Sequence, residues 1–136
     1  MIKLKKQQIK LGGWKNLSRV EKQTWLRMGY KLHQVKQVHH QKSQIIIEGN
    51  TLFNAEDFFC CIGEQVNGLV GYFGRSYAAL EDCLSNGACW GVSKSLCVIW
   101  LNYTVTKRNF MLTQQCTQLD WITNILRPQT HLVLVD

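Results

Sequence analysis

Tyr72-Phe73-Gly74-Arg75-Ser76-Tyr77-Ala78-Ala79-Leu80-Glu81-Asp82-Cys83-Leu84 compresses a turn, a helix start and an acidic face into thirteen residues. Gly71 and Gly74 can take a positive φ or a tight bend, and Ser76 is a good N-cap, so a helix is predicted to begin at about Tyr77. Three- and four-residue spacings put Ala79, Leu80, Cys83 and Leu84 on one face. Ala78, Glu81, Asp82 and Ser85 fall on the other. Taken alone, that second face reads as a solvated surface carrying two carboxylates.

Outward from this helix, the pattern fixes an architecture. Gln44-Ile45-Ile46-Ile47-Glu48, ended by Gly49-Asn50, reads as a buried strand. Asn54 can cap a helix with Phe58, Cys61, Ile62 and Val66 inward, stopped at Asn67-Gly68. The Tyr72–Leu84 stretch supplies the next helix, ended by Asn86-Gly87. Leu96-Cys97-Val98-Ile99-Trp100-Leu101 is a continuous apolar run, as expected for a strand covered on both faces. A polar connection from Thr104 to Asn109 then leads to a helix from about Thr113 to Leu126, which Arg127-Pro128 terminates. Leu132-Val133-Leu134-Val135 is the last strand. Strand, helix, helix, strand, helix, strand makes β-α-β units, so the predicted class is α/β with a small three-stranded parallel sheet packed with helices.

Before Gln44 the composition changes. Residues 1–43 carry eleven Lys/Arg and one acid, Glu21; residues 44–136 carry five Lys/Arg and eight Asp/Glu. The chain therefore divides into a basic N-terminal extension, 1–43, and a mildly acidic domain, 44–136. The two parts meet different partners, or the arm folds back on the acidic part. Alternating Ile2/Leu4 and Ile9/Leu11 allow a short edge strand or a mobile segment. Ser18 followed by Glu21 is a capping-box pattern, and an amphipathic helix is predicted over about 19–38, with Trp25, Met28, Leu32 and Val35 as its apolar stripe, Leu26 and Tyr30 beside them, and Arg19, Lys22, Arg27, Lys31 and Lys36 flanking it. That stripe suits docking on the neighbouring domain, with contact to nucleic acid or self-association as the alternatives. One core is expected for 136 residues.

Several chemistries find no support. The six cysteines include no C-x-x-C pair and read as packed thiols rather than a disulfide or zinc framework. His33, His39 and His40 lack the i, i+4 spacing of helical metal ligands, so neither metal nor cofactor is predicted. No Ser/His/Asp or Cys/His motif is recognisable, no Gly-rich phosphate loop follows a strand, and Cys83 has no basic neighbour on its own face to activate it. An enzyme is the class least favoured. No apolar run is long enough to span a bilayer and lysines interrupt the basic N-terminus, so a cytoplasmic protein without membrane attachment is the default.

Residues 44–136 resemble the barstar family of intracellular inhibitors of barnase-type ribonucleases. The likeness is carried by Ile45-Ile46-Ile47-Glu48-Gly49, by Asp57-Phe58, and above all by Tyr72-Phe73-Gly74, five residues, then Leu80-x-Asp82-Cys83-Leu84. It continues in Val98-Ile99-Trp100 and the closing strand. The resemblance implies a protein-binding module whose second helix and preceding loop are presented to a ribonuclease or nuclease toxin, as in an immunity protein or antitoxin. It implies that Asp82 enters the nuclease active site where a substrate phosphate would bind. Tyr72 and Gly74 match loop contacts, and Ser76, Ala78, Glu81 and Ser85 match helix positions at or near the interface. The sequence departs from barstar there: Ala78 stands at an interface aspartate, Glu81 at an interface tryptophan, and Ser76 at an asparagine. The resemblance thus implies a target other than barnase. The basic extension has no counterpart in the family, which leaves binding of nucleic acid through residues 1–43, or a non-inhibitory interaction module, as alternative functions.

Overall fold

The computed structural model describes residues 3–36 and 38–136. Three strands, β1 (Lys42–Glu48), β2 (Val92–Leu101) and β3 (His131–Leu134), form a parallel sheet with β2 in the centre. Six α-helices accompany them among the described residues: α1 (Arg19–Val35), α2 (Ala55–Asn67), α3 (Tyr77–Ser85), α4 (Gly87–Trp90), α5 (Tyr103–Leu112) and α6 (Cys116–Gln129). The α/β class and the three-stranded parallel sheet are those predicted.

The register pairs Ile45 with Val98 and Val98 with Leu132, and likewise Ile47 with Trp100 and Trp100 with Leu134. Ile45, Ile47, Leu96, Val98 and Trp100 are buried, but across the pleat Ile46 is 43% and Val133 36% exposed. The apolar run of β2 therefore reflects its central place in the sheet rather than cover on both faces, and the expectation of two covered faces is corrected. Trp100 anchors the covered side: its ring stacks on Phe58 at 5.3 Å, and its Nε1 donates to Thr106 Oγ1.

The basic arm belongs to the same core. Ser18 and Glu21 form the capping box, each bonding to the other's backbone N–H, and α1 follows. Its inward face is Lys22, Trp25, Leu26 and Gly29, with Met28 and Tyr30 packed beside it; the predicted stripe is buried in its first half, whereas Leu32 and Val35 face solvent, Val35 with 83% exposure. Two residues that hydrophobic periodicity ignores rotate the helix. A Cβ at Gly29 would come within 2.8 Å of the Val70 carbonyl oxygen, so the glycine permits close backbone approach, and Lys22 turns inward to Asp57. The helix ends at Val35 instead of Val38, and Gln37 lies outside the described residues. N-terminal to it, the edge strand that the alternation allowed is absent among the described residues; two 3-10 turns, Lys6–Gln8 and Gly13–Asn16, lead into α1, and Trp14 and Leu17 are buried in the core.

The reason the arm is accommodated lies in α2. Asn54 Oδ1 caps it by accepting from Asp57 N, and Phe58, Phe59, Cys60, Cys61 and Ile62 are all buried. Five consecutive buried residues encircle a helix, and such a helix must be covered on all sides. The sheet covers one side, and α1 with the Gly13–Asn16 turn packs on another.

Two further boundaries differ from expectation. The segment read as a polar connection, Thr104–Asn109, is helical as part of α5, because its inward polar groups have work in the core: Thr106 Oγ1 donates to Gly49 O and Asn109 Nδ2 to Asn50 O. Helix α6 starts at Cys116 and includes Pro128, which was expected to end it. In the last turn the ring forfeits one backbone bond, and Thr130 closes the end with its amide and hydroxyl both on Leu126 O.

Candidate functional site

Helix α3 runs from Tyr77 to Ser85, as predicted, with Ser76 Oγ accepting from Ala79 N at its start. Leu80 and Cys83 point into the core; Ala78, Glu81, Asp82 and Ser85 are exposed. Gly74 holds φ 97°, and a Cβ there would lie 2.9 Å from Leu80 N, so glycine is needed for the loop to tuck beneath the helix. Asn67 fixes the loop from the other side, donating through Nδ2 to Tyr72 O and Trp90 O. Val70 completes the bend at φ 51°, a conformation costly for a β-branched residue, which the surrounding packing sustains.

The seven residues singled out in the sequence divide into two sets. Ser76, Ala78, Glu81, Asp82 and Ser85 share the exposed surface of α3, with Ser85 Oγ donating to Gln129 Oε1. Gly74 and Tyr72 lie beneath it. Tyr72 is only 3% exposed: Tyr30 of α1 meets its ring edge-on at 5.2 Å, and Trp90 lies at 5.6 Å. Burial, followed by the neighbouring Cys83, pushes its hydroxyl up to about 12, so it remains protonated. The arm has thus covered the aromatic ring that the resemblance assigns to the loop surface.

Two recesses flank α3. Between α1 and α3 a cleft of about 580 Å³ is lined by Arg27, Tyr30, Tyr72, Arg75, Asp82 and Trp90, among others. Between α3 and α6 a groove of about 650 Å³ is lined by Tyr77, Glu81, Trp121, Ile125 and Pro128 with neighbouring amides. Trp121 is 49% exposed and packs edge-on against Tyr77 at 5.0 Å. Sequence reasoning missed Arg27, Arg75 and Trp121 as neighbours of the acidic face. Arg75 was visible in the opening stretch, but nothing in the sequence brings Arg27 across from α1 or turns Trp121 outward.

The carboxylates are distributed unevenly between fold and surface. Glu48 accepts from Asn50 N and Asn102 Nδ2, and Glu56 pairs with Arg19. Asp57 meets the Lys22 ammonium through Oδ1 and accepts from Phe53 N through Oδ2. Glu64 accepts from Gly12 N, Asp136 from Thr104, and Glu21 belongs to the α1 capping box. Among the described residues only Glu81, Asp82 and Asp120 have no side-chain hydrogen bond or ion pair. Asp120 is exposed on α6, and its neighbour Trp121 lines the α3–α6 groove.

The other chemistry-bearing groups are structural. His33 stacks on Trp90 at 4.4 Å with Nε2 facing Cys89 O, while His40 Nε2 faces Val66 O, so each ring is engaged with the fold. No cluster of three metal-ligating side chains occurs among the described residues. Burial, followed by the Asp82 charge, pushes the Cys83 thiol up to about 12, the opposite of an activated nucleophile. No helix among the described residues is long and apolar enough to cross a membrane.

A family model described as Barstar (barnase inhibitor) matches residues 43–130. No curated protein matches the chain significantly. The family match spans more than half of the 136 residues, from the start of the sheet through α6, and includes the whole of α3. The chain belongs to the barstar family.

Proposed function

We propose, from this membership, that the chain inhibits a ribonuclease or nuclease toxin, in the manner of an immunity protein, by presenting the exposed face of α3 to the enzyme's active site. The observation that carries this reading is the pair Glu81 and Asp82: adjacent, exposed, and without a partner in the fold, while the other acids of the matched region apart from Asp120 are engaged. A nuclease active site that binds phosphate is cationic, and a carboxylate entering it forms charge-assisted hydrogen bonds in a desolvated pocket. Asp82 is the residue assigned to that pocket. Glu81 reaches the same partner from the α3–α6 groove, with Ala78, Ser76 and Ser85 as the surrounding contact surface. Gly74 shapes the loop underneath, and Tyr72 reaches the partner only at the cleft floor.

The surroundings define the partner further. Arg27 and Arg75 line the cleft with Asp82, so the field there is mixed in sign, and Trp121 offers an aromatic contact beside Glu81. A target matched to this face carries cations opposite Glu81 and Asp82 and an apolar side chain opposite Trp121, a different arrangement from a purely cationic partner surface.

The test is to look for a nuclease encoded in a reading frame adjacent to this one and to measure it by titration calorimetry and a ribonuclease assay, with barnase as a second target. Binding and inhibition are expected for the adjacent nuclease. Asp82→Ala is expected to weaken binding by about 1.5–3 kcal/mol per charged hydrogen bond lost. Equal affinity of wild type and Asp82→Ala refutes the assignment of Asp82, and no binding to the adjacent nuclease or to barnase refutes inhibition.

A further inference from the structure

The arm carries eleven Lys/Arg, of which only Arg19 and Lys22 have a carboxylate partner among the described residues. Nine remain without one, all exposed. The fold-back of the arm has therefore not neutralised it. It docks through Trp14, Leu17, Trp25 and Leu26 and leaves its charge outside. Lys42 Nζ donates to Gln65 O and Lys15 lies over the Trp14 ring, but none of the nine makes an ion pair among the described residues. A cationic surface of this extent suits an extended anionic partner.

Where the arm meets α3, this surface acquires a recess. Arg27 from α1 and Arg75 from the loop before α3 line the same cleft of about 580 Å³, and neither makes an ion pair among the described residues. The Arg75 guanidinium lies over the Tyr30 ring at 5.3 Å, which restricts it with no carboxylate involved. Gln23 and Ser76 add hydrogen-bonding groups, and Trp90 supplies an aromatic wall. Paired guanidinium groups bind phosphate oxygens with fixed geometry. A recess of this size accepts one phosphate with its sugar or base and does not match the continuous face of a duplex.

We propose that the α1–α3 cleft is a phosphate subsite for single-stranded nucleic acid, with Arg27 and Arg75 as its cationic walls and the unpaired lysines of the arm as the track along which the strand continues. Asp82 lines the same cleft and opposes the bound phosphate. A strand and a nuclease therefore make opposite demands on this carboxylate, and their sites overlap. The inference stands on the arm and the arginines and does not depend on inhibition.

The experiment is fluorescence anisotropy of the full chain with a labelled single-stranded RNA oligonucleotide, titrated at several salt concentrations between about 50 and 200 mM. Affinity is expected to fall linearly on logarithmic axes. Arg27→Ala/Arg75→Ala, both at exposed positions so that the fold is retained by circular dichroism, is expected to reduce the slope by about 0.7 to 1.4, one or two phosphates for a single strand. Asp82→Asn is expected to strengthen RNA binding about two- to fivefold by removing a like charge, whereas the same substitution weakens nuclease binding if the inhibitor reading holds. Loss of one behaviour with retention of the other therefore separates the two proposals. The proposal is overturned by absence of salt-dependent binding, by an unchanged slope in the arginine variant, or by unchanged or weaker binding in Asp82→Asn. Displacement of RNA by poly-glutamate as effective as by unlabelled RNA at equal charge also overturns it, as does binding to phosphatidylserine vesicles in place of RNA.

Discussion

Replacing Lys22 by methionine tests whether the arm and the family-matched region are one cooperative unit. The Lys22 ammonium meets Asp57 Oδ1 with both side chains almost wholly buried, and the one other group on this carboxylate is the Phe53 amide on Oδ2. Methionine keeps most of the aliphatic volume and removes the charge, leaving a buried carboxylate with one N–H donor. Breaking a buried pair in this way costs about 3–5 kcal/mol. A domain of ordinary stability, about 5–15 kcal/mol, would lose roughly a fifth or more of it. In urea, with a slope of about 1–3 kcal/mol/M, the midpoint should fall by at least about 1 M. Arg19→Met is the internal control: the Arg19–Glu56 pair joins the same two segments, but the arginine is 58% exposed, and such a pair contributes at most about 1 kcal/mol. Adding Asp57→Asn to Lys22→Met removes the orphaned charge while preserving an acceptor for Phe53 N, so the double variant should be more stable than Lys22→Met alone. The measurement is urea unfolding followed by tryptophan fluorescence and circular dichroism together. If Lys22→Met costs no more than Arg19→Met, or if the two probes show the arm melting separately, the arm is an appendage and the reasoning fails.

The thiols give a second set of outcomes. Burial pushes Cys60 up and Cys61 and Cys83 up to about 12, whereas Cys89 and Cys116 are exposed, so iodoacetamide at about pH 8 should modify Cys89 and Cys116 first and reach the other three only on unfolding, as read by peptide mass spectrometry. His33 gives a pH dependence. Its pKa lies below the ordinary 6.5 because burial disfavours the cation, with His40 and Lys36 adding repulsion against the pull of Cys89 O. A depressed folded-state value means that its contribution is present above about 6.5 and is lost as the pH falls through the folded value. The urea midpoint should therefore drop on acidification from about pH 7.5 to 5, by less in His33→Gln than in the wild type, and an equal drop in both refutes the assignment to His33.

The elements legible in the sequence were those whose inward residues are apolar and whose ends carry short-range caps. Strand β1, helix α2 with its Asn54 cap and helix α3 with its Ser76 cap all fall where periodicity places them. Helix α5 was illegible because its inward face uses Thr106 and Asn109, whose polar atoms are satisfied by Gly49 O and Asn50 O, carbonyls over fifty residues away in the chain. The second half of the predicted α1 stripe, Leu32 and Val35, is exposed for a related reason. A lysine and a glycine contribute nothing to a hydrophobic stripe, yet Lys22 is drawn inward by Asp57, and Gly29 allows the approach to Val70. Both cases turn on long-range partners, which local pattern does not contain. At the site the sequence pattern placed Asp82 and Glu81 on one exposed face, while the family resemblance assigned Tyr72 to the loop surface. The sequence had no signal that Tyr30, some forty residues earlier, would cover that ring.

That covering changes how the acidic face has to work. A mildly acidic domain suggests a diffuse negative surface, but Lys22, Arg19, the Gly12 amide and the helix and turn contacts take up most of its carboxylates. The unpaired negative charge of α3 is Glu81 and Asp82, two consecutive residues that diverge into different recesses, one floored by apolar and aromatic side chains and the other flanked by arginines. Long-range attraction of a cationic partner is weak under these conditions, because the arm's nine unpaired cations lie within reach and the net charge of the chain is +7. Recognition by α3 must then come from short-range fit: Asp82 in a desolvated pocket and Trp121 against an apolar contact. Raising ionic strength should consequently leave nuclease binding nearly unchanged, or strengthen it by screening the arm, while it weakens RNA binding steeply. A nuclease affinity that falls with salt as steeply as the RNA affinity would place the contact on the arm instead of on α3.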